Sequence, residues 1–148
     1  MKKKQPLRQT PLILVFILVC GPSILAQPYW PQFRGPNGQG ISTNGQPPVQ
    51  FGPDQNVIWK AAVPPGHSSP CVWGTWVFLT GVDGTNLVTL AIDRSNGKQL
   101  WRKEIPVEKL ESHHETSSPA TATPAADGER VYVYFGSFGL IAYGHDGR

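Results

Sequence analysis

The sequence predicts an all-β fold, and three observations support that prediction. From residue 57 onward, short runs rich in β-branched and aromatic residues alternate with turn residues. Asp-Gly and Asn-Gly pairs, which accept the positive φ of tight hairpins, separate several of these runs. Segments of the sequence also recur at spacings of 42 to 54 residues. Only residues 107–113 have any helical character, and the proline before them favours a connecting loop.

Residues 1–26 have the three-part layout of a secretory signal peptide. Four basic residues and no acid precede or accompany an apolar run of nine, residues 12–20, and the segment ends at the small residue Ala26. We expect cleavage after Ala26 and export to the periplasm or the extracellular space. The run is shorter than the roughly 20 residues of a spanning helix. An uncleaved anchor and a lipoprotein acylated on Cys20 remain as alternatives, although the bulky Val19 disfavours the second.

The formal charge of +3 over 148 residues belongs to this leader and not to the remaining chain. Beyond residue 26 there are 9 basic and 10 acidic residues, so the mature part is close to neutral. A nucleic-acid partner is therefore not expected. Contact with a membrane is expected only through the leader, if it stays uncleaved.

Residues 27–56 are rich in Gly, Pro, Gln and Asn and have no regular apolar period, so they predict an extended N-terminal arm. Aromatic residues recur along this arm, and we expect them to hold it against the body of the protein. They are Tyr29, Trp30, Phe33 and Phe51.

Six strands are predicted beyond the arm from β-rich composition and from the turns between them. The Asp83-Gly84 and Asn96-Gly97 pairs give hairpins joining the second, third and fourth strands. The predicted strands are residues 57–63, 76–80, 87–92, 99–103, 131–135 and 140–143.

An internal repeat organises these strands. Residues 58–64 match residues 100–106 at a spacing of 42, residues 74–78 match 128–132 at 54, and residues 90–92 match 141–143 at 51. Periods of about 40–50 residues with four short strands each are typical of β-propeller blades. Residues 57–148 are therefore expected to form about two four-stranded antiparallel blades. Because a propeller needs about four to eight blades, we expect the sequence to be an N-terminal fragment of an incomplete propeller.

Residues 91–101 carry a family resemblance. They are similar to the tryptophan docking motif of PQQ-type (quinoprotein-type) β-propellers, A-x-D-x-x-T-G-K-x-x-W, with Asn96 in place of the usual Thr. Residues 142–148 resemble a shorter second copy, and residues 30–37 resemble the start of secreted bacterial members of the family. The matching positions are Ala91, Asp93, Gly97, Lys98 and Trp101.

The motif predicts a physical role for Trp101. On the outer strand of a hairpin formed by residues 87–92 and 98–103, its indole can insert between neighbouring sheets, and Ala91 leaves room for it. Cys71 is expected to be a small buried apolar side chain, because no electropositive setting activates it.

Several other patterns are interpreted as structural, so no catalytic, cofactor-binding or metal-binding residue is assigned. His113, His114 and Glu115 with His67 form the only metal-like cluster, and a polar loop explains them better. Residues 93–97 resemble a calcium loop only faintly, since the bidentate Glu is missing. Residues 35–40 are Gly-rich but follow no strand and open no helix. Four serines near prolines favour turns over nucleophilic catalysis, namely Ser68, Ser69, Ser117 and Ser118.

The resemblance implies two possible functions. The first is a non-enzymatic interaction scaffold whose partners are proteins of the cell envelope, as in the BamB-like members of the family, with no cofactor. The second is a PQQ-dependent dehydrogenase that oxidises an alcohol or a sugar. The family's dehydrogenases use an Asp base, calcium ligands and often adjacent cysteines, which cannot be assigned to positions in this sequence, and PQQ is expected at most in a complete protein.

Overall fold

The structure, a computed structural model, describes residues 29–43 and 45–148; the predicted signal peptide lies outside this part. Within it the protein is all-β, as predicted, and the single helical element is the 3-10 turn Pro36–Gly38. No helix in this part of the chain is long and apolar enough to cross a membrane. The eight strands are β1 (Tyr29–Trp30), β2 (Cys71–Trp73), β3 (Trp76–Asp83), β4 (Asn86–Asp93), β5 (Gln99–Pro106), β6 (Ala125–Ala126), β7 (Arg130–Phe135) and β8 (Gly139–Gly144).

The first sheet contains β1 to β5 in sequence order, with every neighbouring pair antiparallel. Its two longest hairpins form where the sequence predicts them. Gly84 in the turn between β3 and β4 has φ +61°, and Gly97 in the turn between β4 and β5 has φ +75°. These turns align β4 so that six consecutive residues, 87–92, are buried.

The second sheet contains β6, β7 and β8 and repeats the strand register of the first. Phe78 pairs with Ala91 in the first sheet, and Tyr132 pairs with Ala142 in the second, at the spacings of 54 and 51 seen in the sequence. The preceding strands agree, since Cys71 pairs with Phe78 and Ala125 pairs with Tyr132. The sequence repeat is therefore also a structural repeat.

One apolar core is shared by the two sheets. Phe78, Leu87 and Ala91 of the first sheet cluster with Val131, Val133 and Phe135 of the second, and all six are almost completely buried. At roughly 25 cal/mol per Å² of apolar surface removed from water, this shared cluster is the main source of stability between the sheets.

The N-terminal arm extends the first sheet at its start. Tyr29 pairs with Trp73, and their ring centroids lie 4.5 Å apart. The Pro31 carbonyl accepts a hydrogen bond from the Ala126 backbone N–H at 2.8 Å, which ties the arm to the second sheet. Of the four aromatic residues of the arm, Tyr29 and Trp30 lie in this strand pair, whereas Phe33 and Phe51 are more than half exposed.

The predicted strands were wrong at several positions. The short strands Tyr29–Trp30 and Ala125–Ala126 were not predicted. Residues 57–63 form no strand, because within the described chain no other strand pairs with them. Conversely, Cys71–Trp73 is a strand that the Pro-rich sequence around it did not indicate. Residues 107–113 form a connecting loop, as predicted.

Candidate functional site

The most specific feature of the molecule is the contact of Trp101 with the second sheet. Trp101 lies on β5, opposite the fully buried Ala91, and its Nε1–H donates to the His145 carbonyl at 2.7 Å. Its ring centroid lies 5.8 Å from that of Tyr143. Gly147 has φ +83°, and a Cβ there would lie 3.0 Å from the indole. The last strand of the first sheet thus docks its indole on the turn that ends β8.

Trp59 repeats this arrangement on the first sheet. Its Nε1–H donates to the Arg94 carbonyl at 2.8 Å, and its ring covers Gly97, where a Cβ would lie only 2.6 Å from Trp59 Cε3. Gly97 has φ +75°, so both its conformation and the close ring require glycine. Trp59 and Trp101 occupy equivalent positions of the 42-residue sequence repeat. Each tryptophan therefore docks on a turn of the sheet that follows it in the chain.

Asp93 holds the first docking turn, residues 93–97, in place. Its Oδ1 accepts from the Ser95 N–H at 2.7 Å and from the Ser95 hydroxyl at 2.6 Å, and its Oδ2 accepts from the Asn96 amide at 3.1 Å. These bonds, the Ser95 hydroxyl foremost, lower the pKa of the Asp93 carboxyl. Asn96 in turn accepts from the Lys98 N–H at 2.8 Å, so Asn performs a turn function at the position where the family motif has Thr.

The second docking turn, residues 144–147, is one residue shorter than residues 93–97 but has equivalent backbone bonds. The Gly144 N–H donates to the Arg148 carbonyl at 2.6 Å, as Asp93 N–H donates to the Lys98 carbonyl at 2.8 Å. Gly144 stands where Asp93 does in the first turn, and Asp146 takes over the carboxylate role by accepting from the Arg148 N–H. The two turns of this chain therefore share their closing backbone hydrogen bond.

An aromatic cluster around His145 lies beside this contact. The imidazole centroid is 4.8 Å from Trp76 and 5.7 Å from Phe78, so first-sheet rings surround a second-sheet side chain. His145 Nε2 is buried and has no hydrogen-bond partner among the described residues. Leaving such an atom unpaired costs about 1–3 kcal/mol, which packing of the surrounding rings must offset.

An open cleft of about 530 Å³ adjoins this cluster. It combines an aromatic wall with side chains of both charges, and Arg148 pairs with Asp146 at 2.6 Å across its rim. This pairing raises the pKa of Arg148 and lowers that of Asp146, so both groups stay charged at neutral pH. The cleft is lined by Trp76, Glu129, Arg130, Gly144, His145, Asp146 and Arg148.

Cys71 is fully buried, as predicted. Its thiol donates to the Pro31 carbonyl at 3.2 Å, and desolvation raises its pKa to about 12. The thiolate that nucleophilic chemistry needs is therefore almost absent at neutral pH.

The other patterns from the sequence have local partners. His113 Nδ1 lies 3.3 Å from the Glu111 carbonyl and His114 Nδ1 lies 2.9 Å from Thr116 Oγ1, both exposed. Within residues 29–43 and 45–148, no three His, Cys, Asp or Glu side chains converge as metal ligands do.

The four serines make hydrogen bonds either within a turn or to a distant segment of the chain. Ser68 Oγ accepts from the Thr80 N–H at 3.1 Å, and Ser118 Oγ accepts from the Ala120 N–H at 3.2 Å. The Ser69 N–H bonds Thr123 Oγ1, and the Ser117 hydroxyl bonds Thr121 Oγ1. The contacts of Ser117 and Ser118 are local, as in a turn, whereas Ser68 and Ser69 bond residues far away in the chain.

Sequence reasoning missed the cleft altogether. Trp76 and Arg130 are equivalent residues of the repeat, each two positions after its turn glycine, and this was the available signal. The convergence of Trp76 with His145 depends on the packing of two sheets, which local sequence does not reveal.

Comparison with protein-family models gives no match to this chain, and comparison with curated proteins gives none either.

Proposed function

We propose that this chain contributes blades to an exported β-propeller of the PQQ-type repeat family, and that the protein is an interaction scaffold for proteins of the cell envelope. The repeated docking of Trp59 and Trp101 supports the architectural part of the proposal, because equivalent residues of the sequence repeat make equivalent contacts. The repeated strand register of β2–β4 in β6–β8 supports it further.

The cleft beside His145 carries the scaffold function. Trp76 supplies a large amphipathic ring, and Arg130 and Arg148 supply charge at its rim. Trp and Arg are the side chains that most often dominate binding energy at protein interfaces. Glu129 and Asp146 add charges of the opposite sign, so a partner surface of mixed charge suits this cleft better than a uniformly charged polymer.

The alternative function, a PQQ-dependent dehydrogenase, requires the protein to bind PQQ and to oxidise an alcohol or a sugar. Titration of the protein with PQQ, followed by a dye-linked oxidation assay, separates the scaffold from the dehydrogenase. We expect no saturable binding; saturable binding with turnover would replace the scaffold proposal with the dehydrogenase.

Site-specific photo-crosslinking in cells tests the scaffold directly. A benzophenone amino acid at position 130, in the cleft, is compared with the same group at position 109, where an exposed Lys lies outside the cleft. We expect a discrete adduct with an envelope protein from position 130 that weakens at least about fivefold with Arg148→Glu. Identical adducts from both positions, or none, would contradict the proposal.

A further inference from the structure

The N-terminal arm is hydrogen-bonded to the sheets through one short segment, residues 29–35, here called the strap. Its first two residues, Tyr29 and Trp30, pair with β2 along the edge of that strand which faces away from β3. Residues 36–56, here called the tether, follow the strap, and their described members are mostly exposed. Among the described residues, the hydrogen bonds of the tether stay within residues 34–60.

The Pro31 carbonyl of the strap binds both sheets. It accepts from the Ala126 backbone N–H of β6 at 2.8 Å and from the Cys71 thiol of β2 at 3.2 Å. In the repeat, β2 and β6 are the equivalent first strands of the two sheets. The edges of these strands that face away from β3 and β7 are here called the inner edges. One extended segment therefore serves the inner edges of both sheets.

Contacts within the strap hold it in the conformation that it has on the inner edges. Pro31 restricts the preceding Trp30 to extended backbone, which is the conformation that pairing with β2 requires. The Trp30 ring covers Gly35, where a Cβ would lie 2.5 Å from Trp30 Cε3. Gly35 has φ +68° and donates its N–H to the Gln32 carbonyl at 2.9 Å. A segment ordered by its own contacts loses less conformational entropy when it binds.

The ring of Tyr29 marks the side chain that the inner edge of β2 accepts. Tyr29 lies opposite Trp73 in the strand pair, and the two ring centroids are 4.5 Å apart with their planes tilted by 46°. Trp73 itself packs against the core shared by the sheets. The inner edge therefore offers main-chain hydrogen bonds together with a fixed aromatic surface.

We propose that the inner edges of β2 and β6 form a strand-addition site for an extended segment of a partner polypeptide, and that the strap occupies this site in cis. The segment that fits has an aromatic residue two positions before a proline, as Tyr29 stands before Pro31. Strand addition gains affinity from main-chain hydrogen bonds and specificity from side-chain pockets. Trp73 and Ala126 do not line the cleft beside His145, so this site goes beyond the scaffold surface proposed above.

The tether favours the strap over a competing segment by proximity. A flexible linker of this kind gives the strap a local concentration on the order of 1 mM. For a segment that binds the vacant site with a Kd of about 10 μM, this competition weakens apparent binding about 100-fold. A partner segment therefore gains access when the strap is released.

Binding of a labelled peptide tests the site on the full chain. A protease site inserted after Val49, which is 97% exposed in the tether, allows the tether to be cut after folding. The probe is a fluorescein-labelled peptide of residues 27–40, its control is the same peptide with Tyr29→Ser, and binding is followed by fluorescence anisotropy at nanomolar chain concentration. We expect the probe to bind the cut chain at least about tenfold more tightly than the uncut chain, and the control peptide to bind the cut chain at least about fivefold more weakly than the probe. Equal affinity for cut and uncut chains, or no binding to either, would overturn the proposal.

Thiol labelling of Cys71 in a Cys20→Ser background measures release of the strap without a cut, because the Cys71 thiol bonds to the Pro31 carbonyl of the strap. Gly35→Ala and Gly38→Ala form a matched pair: φ is +68° and +67° at the two positions, but only at Gly35 would a Cβ meet the Trp30 ring. We expect Gly35→Ala to speed native labelling at least about tenfold and Gly38→Ala to change it less than about threefold. Circular dichroism establishes that both variants stay folded. Equal labelling rates in the two variants would overturn the role of the strap but would leave the scaffold proposal in place.

Discussion

Replacement of Trp101 by Ala removes a side chain of the first sheet that packs against the second sheet and hydrogen-bonds to it. The substitution deletes an indole that touches Phe78 and Tyr143, at centroid distances of 6.0 and 5.8 Å, and it deletes the hydrogen bond to the His145 carbonyl. It also uncovers Gly147, which lies directly beneath the ring.

The expected loss of stability follows from these contacts. Large-to-small substitution of a buried Trp costs about 3–5 kcal/mol, and the hydrogen bond accounts for about 1 kcal/mol of that. Because Trp101 is half-buried rather than fully buried, we expect a loss near 3 kcal/mol. Trp101→Phe keeps most ring contacts but removes the donor, so it should lose about 1–2 kcal/mol.

Urea denaturation followed by far-UV circular dichroism, at micromolar protein concentration, measures these differences. Leu100→Ala is the matched control, because Leu100 precedes Trp101 on the same strand and is 48% exposed. We expect it to lose less than about 1 kcal/mol. If Trp101→Ala were no more destabilising than Leu100→Ala, the docking role of Trp101 would be refuted.

Three further predictions concern the burial of Cys71, the charge of Asp93 and cleavage of the signal peptide. In a Cys20→Ser background, Cys71 should react with a thiol reagent at least about 100-fold faster in urea than in the native protein. Because folding raises the pKa of Cys71 from 9.0 to about 12, its contribution to stability should decline as pH rises from 9.0 to about 12. Fast native labelling would contradict its burial. Because the pKa of Asp93 is lowered in the fold, its ionised carboxylate stabilises the fold above the ordinary carboxyl pKa, and this stabilisation is lost as pH falls through the lowered pKa. Asp93→Asn should therefore destabilise the protein more at pH 7 than at about pH 2. An equal loss of stability at both pH values would show that the carboxylate charge does not contribute. N-terminal sequencing of exported protein should begin at Gln27, and an intact Met1 would disprove cleavage.

The hairpins were predictable from the sequence because their signals are local. Gly84 and Gly97 adopt the positive φ that their turns require, and β4 has the apolar composition of a strand buried on both faces. The sequence repeat also predicted which strands of the two sheets are equivalent, since its spacings relate the register of the first sheet to that of the second. Trp101 could be assigned a contact between sheets because the motif of residues 91–101 places it on the outer strand of a hairpin, where Ala91 leaves room for its ring.

Features that depend on a partner strand or on packing were not predictable from local sequence. Residues 57–63 have the composition of a strand, but composition does not supply the neighbour that a strand needs. Cys71–Trp73 became a strand because β1 and β3 flank it. The cleft depends on His145 reaching Trp76 across the two sheets, a contact between residues that are far apart in the chain.

Trp59 and Trp101, equivalent residues of the repeat, dock on equivalent glycine turns of successive sheets. Nuclear Overhauser spectroscopy of labelled protein tests this docking most directly, because it detects whether the indole protons of Trp59 and Trp101 lie close to the α-protons of Gly97 and Gly147. We predict cross-peaks for the pairs Trp59–Gly97 and Trp101–Gly147, with both glycine α-protons shifted upfield by the rings above them. Absence of these cross-peaks, with glycine α-protons at unshifted positions, would contradict the repeated docking and the architecture built on it.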